Sequence, residues 1–135
     1  MTVKSIQPDG WAPAKGYANG ILTADGTLHI GGQIGWNKDQ VFESHDFIGQ
    51  MEQTLRNIVD IVEAAGGQAS DLVRLTWFVK DKAEYLAKQK EIGRTYQKVL
   101  GRHYPAMAML VVKDLIEDDA LIEIEATASI KSLSK

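Results

Sequence analysis

The sequence predicts one α+β domain over residues 1–135, with two helices packed on one face of a β-sheet. Two runs, 72–81 and 120–130, alternate between apolar and polar residues as half-buried strands do. Two further stretches, 47–65 and 82–100, place apolar residues at spacings of three and four, which is typical of amphipathic helices. The order of these elements favours helices gathered on one side of the sheet.

The first 35 residues predict a turn-rich segment followed by a β-hairpin. Residues 1–16 contain prolines and glycines and are interpreted as turns. The run YANGILTADGTLHIGGQIG then predicts two strands joined at Asp25-Gly26, a dipeptide favoured by tight type I′ hairpins. Gly31 and Gly32 fall inside the second strand, where glycine indicates either a β-bulge or a close approach by a ligand.

Two helices are predicted to supply the cover for one sheet face. The first is capped by Ser44 and ends at Gly66-Gly67. The second spans 82–100 and contains Gly93, which costs up to about 1 kcal/mol relative to alanine. The apolar stripe of the first helix consists of Phe47, Met51, Leu55, Ile58, Val62 and Ala65.

Three further strands complete the predicted sheet. The strand at 106–112 is apolar on both faces and therefore needs cover on both sides. Because two helices cover only one sheet face, association with further copies of the chain is predicted. In the strand at 72–81 one face is predicted to carry Val73, Leu75, Trp77 and Val79, and in the strand at 120–130 one face carries Ile122, Ile124, Ala126, Ala128 and Ile130.

Composition excludes several classes of function. The net charge of −3 gives no basic field for nucleic acid or anionic lipid. With no cysteine, the chain has neither disulfides nor thiolate metal sites, and its three histidines lack metal-ligand spacing. No signal peptide or membrane-spanning run is evident, so a cytoplasmic protein is expected.

Two local patterns could carry chemistry. Glu123 and Glu125 lie on one face of a predicted strand with Cα atoms about 6.7 Å apart. They are either two solvated carboxylates or, if a neighbouring chain covers that face, an acid–base pair with one raised pKa. Arg102 and His103 follow a helix, where cations stabilise the helix dipole without any further role, although a pocket rim is the alternative.

Taken together, these stretches resemble the Rid family, also called the YjgF/YER057c/UK114 family, over nearly the whole chain. The run LIEIEATA at the last strand and the helix ending in EAAG are the most specific parts of the resemblance. The other matching stretches are GYANGI at 16–21, GGQIG at 31–35, DLVRLTWFVKD at 71–81 and YPAMAML at 104–110.

The resemblance implies a fold like that of bacterial chorismate mutase, assembled as a homotrimer with small-molecule pockets between subunits. It also implies hydrolysis of enamines or imines to a keto acid and ammonia, without a cofactor. The family's pocket tyrosine matches Tyr17, and the carboxylate that handles the hydrolytic water matches Glu123.

Other positions depart from the family pattern. The family's Ser-Gly-Gln is Gly31-Gly32-Gln33 here, and its helix asparagine falls on Gly93. The arginine that clamps the substrate carboxylate is replaced by Met107, which cannot form bidentate charge-assisted bonds. Met109 and Arg102 complete the predicted substrate-binding set, Arg102 as a substitute cation if it turns inward from the helix end.

The departures at Gly31, Gly93 and Met107 predict a pocket reshaped for a larger or less acidic ligand. The first hypothesis is therefore a hydrolase acting on an imine, enamine or related C=N compound. The second is a trimer that binds a small metabolite without catalysis. The ribonuclease label often attached to this family is disfavoured by the acidic net charge.

Overall fold

A computed structural model describes residues 3–131 of the chain, and it contains one mixed six-stranded sheet. The strand order is β1-β2-β3-β6-β4-β5, with β4 and β5 parallel and the other neighbours antiparallel. The strands are β1 (Val3–Ile6), β2 (Gly20–Thr23), β3 (Thr27–Ile34), β4 (Leu72–Val79), β5 (Ala106–Val111) and β6 (Ile122–Ser129).

Three α-helices lie against one face of this sheet, which we call the core face. They are α1 (Phe47–Ala64), α2 (Lys82–Ala87) and α3 (Gln89–Leu100), and a 3₁₀ turn at Ala69–Asp71 precedes β4. The predicted stripe of α1 is buried throughout, as is the predicted apolar face of β6. The α+β fold with helices on one face is therefore confirmed.

Apart from the orientation of Val73, four local features differ from the predictions. The first is β1, which lies within the turn-rich segment 1–16 and pairs with β2 at the sheet edge. Asp46, not Ser44, caps α1: its carboxylate accepts from Gly49 N at 2.7 Å, while Ser44 Oγ donates to Asp46. The helix predicted over 82–100 is two helices, because Lys88 leaves the helical conformation at φ −115° and ψ 22°.

The fourth error concerns the hairpin turn, although the hairpin itself is confirmed. Gly26 has φ 90°, but Asp25 does not have the positive φ that a type I′ turn requires. Three residues, not two, join β2 to β3, and Gly26 N donates to Thr23 O at 3.1 Å. The connection is therefore the three-residue type, with glycine in the left-handed position.

The strands β4 and β5 both expose apolar side chains. A register shift between Leu72 and Arg74 turns Val73 out of the core, so the prediction that it shares the buried face was wrong. The strand predicted to need cover on both sides, β5, lies at the sheet edge. In the single chain Met107, Leu110 and Val111 of β5 are 42%, 45% and 54% exposed. Nothing within the described chain supplies the missing cover.

Candidate functional site

Apart from Arg102, the predicted site residues fall into two groups, one centred on each face of the sheet. Strand register places Met107 beside Leu75, and Met109 beside Trp77 and Ile124, all on the core face. Glu123 pairs with Phe78, which in turn pairs with Leu110, so Glu123 lies on the opposite face, which we call the outer face. Since the sheet separates the two groups, they cannot contact one ligand within a single chain.

The outer-face group is built around Glu123 and the bulge in β3. The register of β3 and β6 shifts between Ile30 and Gln33, so the predicted bulge at Gly31 and Gly32 is confirmed. The Glu123 side chain occupies the space above Gly32, where a Cβ would overlap its carboxylate. Glycine at this position therefore lets the carboxyl group lie directly against the strand backbone.

The environment of Glu123 alters its acidity. Burial of the half-buried side chain raises the pKa of Glu123, and the charge of Glu125 raises it further. Glu125 is exposed and lines a cavity on the outer face with Arg74, His29 and Gly31. The two glutamates therefore differ in environment, and the pKa of Glu123 lies above the ordinary glutamate value.

The segment that follows Tyr17 is hydrogen-bonded to the bulge in β3. Gly31 N donates to Asn19 O at 2.9 Å, which ties the segment before β2 to the bulge. Tyr17 itself is 50% exposed. Gln33 is buried, and its side chain donates to Asn19 Oδ1 and to Gly31 O, each at 3.1 Å. The Gln33 amide thus braces the bulge from within.

Two buried amides of α1 hold the strands that carry this group. Gln50 accepts from Leu121 N at 2.8 Å and donates to Asp119 O at 2.8 Å, which fixes the start of β6. Asn57 donates to Ile34 O and Trp36 O, which fixes the end of β3. Both are fully hydrogen-bonded at these atoms, as buried amides generally are.

The core-face group lines a cavity of about 310 Å³ between β5 and the helices. Gly93 opens onto this space, since a Cβ there would meet nothing within 4 Å. Four aromatic residues of this wall, Trp77, Tyr85, Tyr96 and Tyr104, were not in the predicted site. The lining consists of Trp77, Tyr85, Gln89, Ile92, Gly93, Tyr96, Tyr104, Met107 and Met109.

The loop that carries Arg102 and His103 is held mainly by structural contacts. His103 Nε2 lies 2.7 Å from Leu72 O, and Tyr96 Oη donates to His103 O at 2.6 Å. The Tyr96 and Tyr104 rings stack with centroids 5.4 Å apart. Arg102 is exposed and does not line the core-face cavity. The structure therefore leaves Arg102 outside both groups.

The described residues contain no cluster of three or more histidine, aspartate or glutamate side chains that could hold a metal ion. Among the same residues, no helix combines the length and apolar character that a membrane crossing requires.

Comparisons with known proteins agree with this architecture. The family model described as endoribonuclease L-PSP matches residues 8–130. The chain is 36% identical over 125 residues to a RutC family protein of Pasteurella multocida, covering 93% of this chain and 96% of that protein. It is also 36% identical over 100 residues to the 2-iminobutanoate/2-iminopropanoate deaminase of Escherichia coli, covering 72% and 74%.

A solved structure, RidA from an Antarctic Psychrobacter, superposes with a TM-score of 0.80 at 29% identity, covering 94% of this chain and 99% of that one. The match of sequence and fold extends over both groups of site residues. The chain belongs to the endoribonuclease L-PSP family, which is the Rid or YjgF family.

Proposed function

We propose that the protein is a homotrimeric hydrolase of an imine or enamine, with an active site that two chains complete together. Glu123 on the outer face of one chain would face the core-face cavity of the next. The separation of the two groups by the sheet supports this arrangement, because one ligand can contact both only across a subunit boundary. The exposed edge strand β5 supports it further, since association covers its apolar side chains.

In the proposed reaction Glu123 acts as the general base. It takes a proton from water as the water oxygen bonds to the carbon of the C=N group, and that proton passes to the nitrogen. The hydroxyl group of this intermediate then gives its proton to the nitrogen as the C–N bond breaks, so that water and the imine become a carbonyl compound and ammonia. An enamine substrate first takes a proton on carbon to become the imine. Tyr17 and the backbone of Gly31, Gly32 and Gln33 would orient the substrate.

The observation that carries this proposal is the partly buried environment of the Glu123 carboxyl group. Its carboxyl group is half-buried against Gly32, and burial raises its pKa toward the range that suits proton transfer near neutrality. An ordinary solvated glutamate would be a weaker base at this task. The deaminase name of the Escherichia coli relative supports the same reaction class.

Glu125 provides a matched control for the test, because it lies two residues along the same strand and is exposed. Ammonia release is measured from freshly generated 2-aminoacrylate and from bulkier imines. Glu123→Gln is expected to lower kcat/KM by about 100-fold or more. Glu125→Gln is expected to change it only a few-fold. Equal activity of Glu123→Gln and the unaltered protein would disprove the role of Glu123.

Subunit mixing tests whether the site is shared. Gly93→Phe is expected to fill the core-face cavity, and Glu123→Gln to remove the base, so each homotrimer alone would be inactive. If the two are unfolded together and reassembled at equal amounts, about a quarter of the sites regain both intact halves. Recovery of about that fraction of activity is expected, whereas no recovery would place the whole site within one chain. Sedimentation should give about three times the 14.9 kDa chain mass.

The alternative function is a trimer that binds a small metabolite without catalysis. Met107 favours it, because no cation stands where the resemblance places the carboxylate clamp. Absence of turnover with every imine tested, together with saturable binding of a neutral ligand, would establish this alternative. Ribonuclease activity is not proposed, since the net charge of −3 does not favour RNA.

A further inference from the structure

The core-face cavity has a wall made of rings, thioethers and glycine. Met107 and Met109 of β5 form one side, and the Tyr96 and Tyr104 rings, stacked at an interplanar angle of 8°, form another. Aromatic rings and methionine sulfur pack favourably against a planar apolar group. The polarity of this wall is therefore suited to an aromatic ring or a branched alkyl group.

The same wall carries no ionised group near neutral pH. Burial, and then the neighbouring Tyr104, raises the pKa of Tyr96 to about 12, so Tyr96 stays a neutral phenol. Its hydroxyl is already engaged with His103 O, and the Tyr104 hydroxyl accepts from Gln97 at 3.0 Å. None of the described lining residues is lysine, arginine or histidine. A carboxylate placed here would lose its hydration without gaining a cation.

The cavity also has room for a sizeable group. An apolar cavity of about 150 Å³ is large enough to hold benzene, and this cavity measures about 310 Å³. Gly93 contributes to that room, because the space beside it is empty to 4 Å. A small side chain such as a methyl or ethyl group would leave most of the cavity unfilled.

We infer that this cavity receives a large uncharged portion of the substrate, aromatic or branched alkyl, and selects against a carboxylate. This inference rests on the proposed function for the identity of the reacting group. In the assembled site the opposite wall would hold Glu123 of the partner subunit, and its negative charge adds to the selection against anions. The substrate class is therefore an imine or enamine whose bulky substituent is neutral.

The inference is tested by binding alone, with two probes of the same shape. Methionine methyl groups are labelled with ¹³C, and the protein is titrated with 3-phenylpropanamide and with 3-phenylpropanoate. Met107 and Met109 report on the cavity, and Met51, which is fully buried in the core, is the internal reference. The amide is expected to shift the Met107 and Met109 signals, to leave Met51 unchanged, and to bind at least ~10-fold more tightly than the carboxylate.

Two variants at one position sharpen the result. Met107→Arg is expected to reverse the preference and favour the carboxylate, because it supplies a bidentate cation. Met107→Leu keeps the apolar volume and is expected to keep the preference for the amide. Propanamide, which lacks the ring, should bind more weakly than 3-phenylpropanamide. Binding of the carboxylate as tight as that of the amide, or no shift at Met107 and Met109 with either probe, would overturn the inference.

These outcomes are separable from those of the proposed function. The hydrolase proposal would be contradicted if Glu123→Gln retained full activity, or if no imine were hydrolysed, while the amide was still bound. The inference that the cavity selects against a carboxylate would be contradicted if the unaltered protein preferred the carboxylate, whether or not imines are hydrolysed.

Discussion

The two groups of site residues differ in how tightly they are filled. On the outer face the space over Gly32 is occupied by the Glu123 carboxyl group, so a single added methyl group would displace it. On the core face the space beside Gly93 is open and leads into a cavity of about 310 Å³. Under the proposed function, the filled outer-face group would fix the reacting group, and the open core-face cavity would accommodate a ligand of variable shape.

The largest expected effect on activity comes from a substitution at Gly32 in the outer-face group, where no space is free. Gly32→Ala would place a Cβ on the Glu123 side chain and force the carboxyl group to move. Because a displacement of about 1 Å can cost about 100-fold in rate, kcat/KM for imine hydrolysis is expected to fall by roughly that factor. Unchanged far-ultraviolet circular dichroism would show that the fold is retained. Full activity of Gly32→Ala would show that the outer-face group tolerates an added methyl group, and would contradict the contrast with the core-face cavity.

The second expected effect is on pH dependence. Burial, followed by the charge of Glu125, raises the pKa of Glu123, and the base must be ionised to act. The rate is therefore expected to rise with pH through that raised pKa, above the ordinary value of 4.5. Glu125→Gln removes one cause of the increase, so the acid limb of the kcat/KM profile should move to lower pH. An acid limb that stays in place would show that Glu125 does not act on Glu123.

The raised pKa of Glu123 also affects the stability of the folded chain. A raised pKa means that the folded chain holds the Glu123 proton more tightly than the unfolded chain does. The contribution of Glu123 to the free energy of unfolding should therefore be fully present below the ordinary glutamate pKa and be lost as pH rises through the folded value. In Glu123→Gln this part of the dependence should be absent, as measured by urea denaturation at a series of pH values.

The smallest expected effect comes from a substitution at Gly93, beside the core-face cavity. Gly93→Ala adds a methyl group to empty space within a helix, so it should stabilise the protein by up to about 1 kcal/mol. Chemical denaturation at fixed protein concentration measures the change. Hydrolysis should alter little, which contrasts with the loss expected for Gly32→Ala. A destabilised Gly93→Ala would mean that the space is filled in the assembled protein.

Much of the fold could be predicted because its signals are local. The stripe of α1 and the alternation in β6 each reflect burial of one side of one element, and both were confirmed. The turn at Gly66-Gly67 also follows from local chemistry: Gly66 has φ 92°, and Gly67 N donates to Val62 O at 3.0 Å.

The errors arose where distant contacts decide the structure. The strand β1 depends on pairing with β2, which no periodicity within four residues reveals. Val73 continues an apparent alternation, but the register shift against β6 turns it outward. The break at Lys88 follows no glycine or proline, and nothing in the structure explains why the helix is interrupted there.

For the site, the sequence alone determined the candidate residues and that position 107 carries methionine, which has no charge. It also determined that the strand at 106–112 is apolar on both faces and needs cover, because composition and alternation are properties of the chain itself. Only the tertiary structure decided that Glu123 and Met107 lie on opposite faces, since strand order and register are set by pairing between distant segments. The same pairing brings Trp77, Tyr96, Tyr104 and Met109 around one cavity, where residues far apart in the chain form a single uncharged wall.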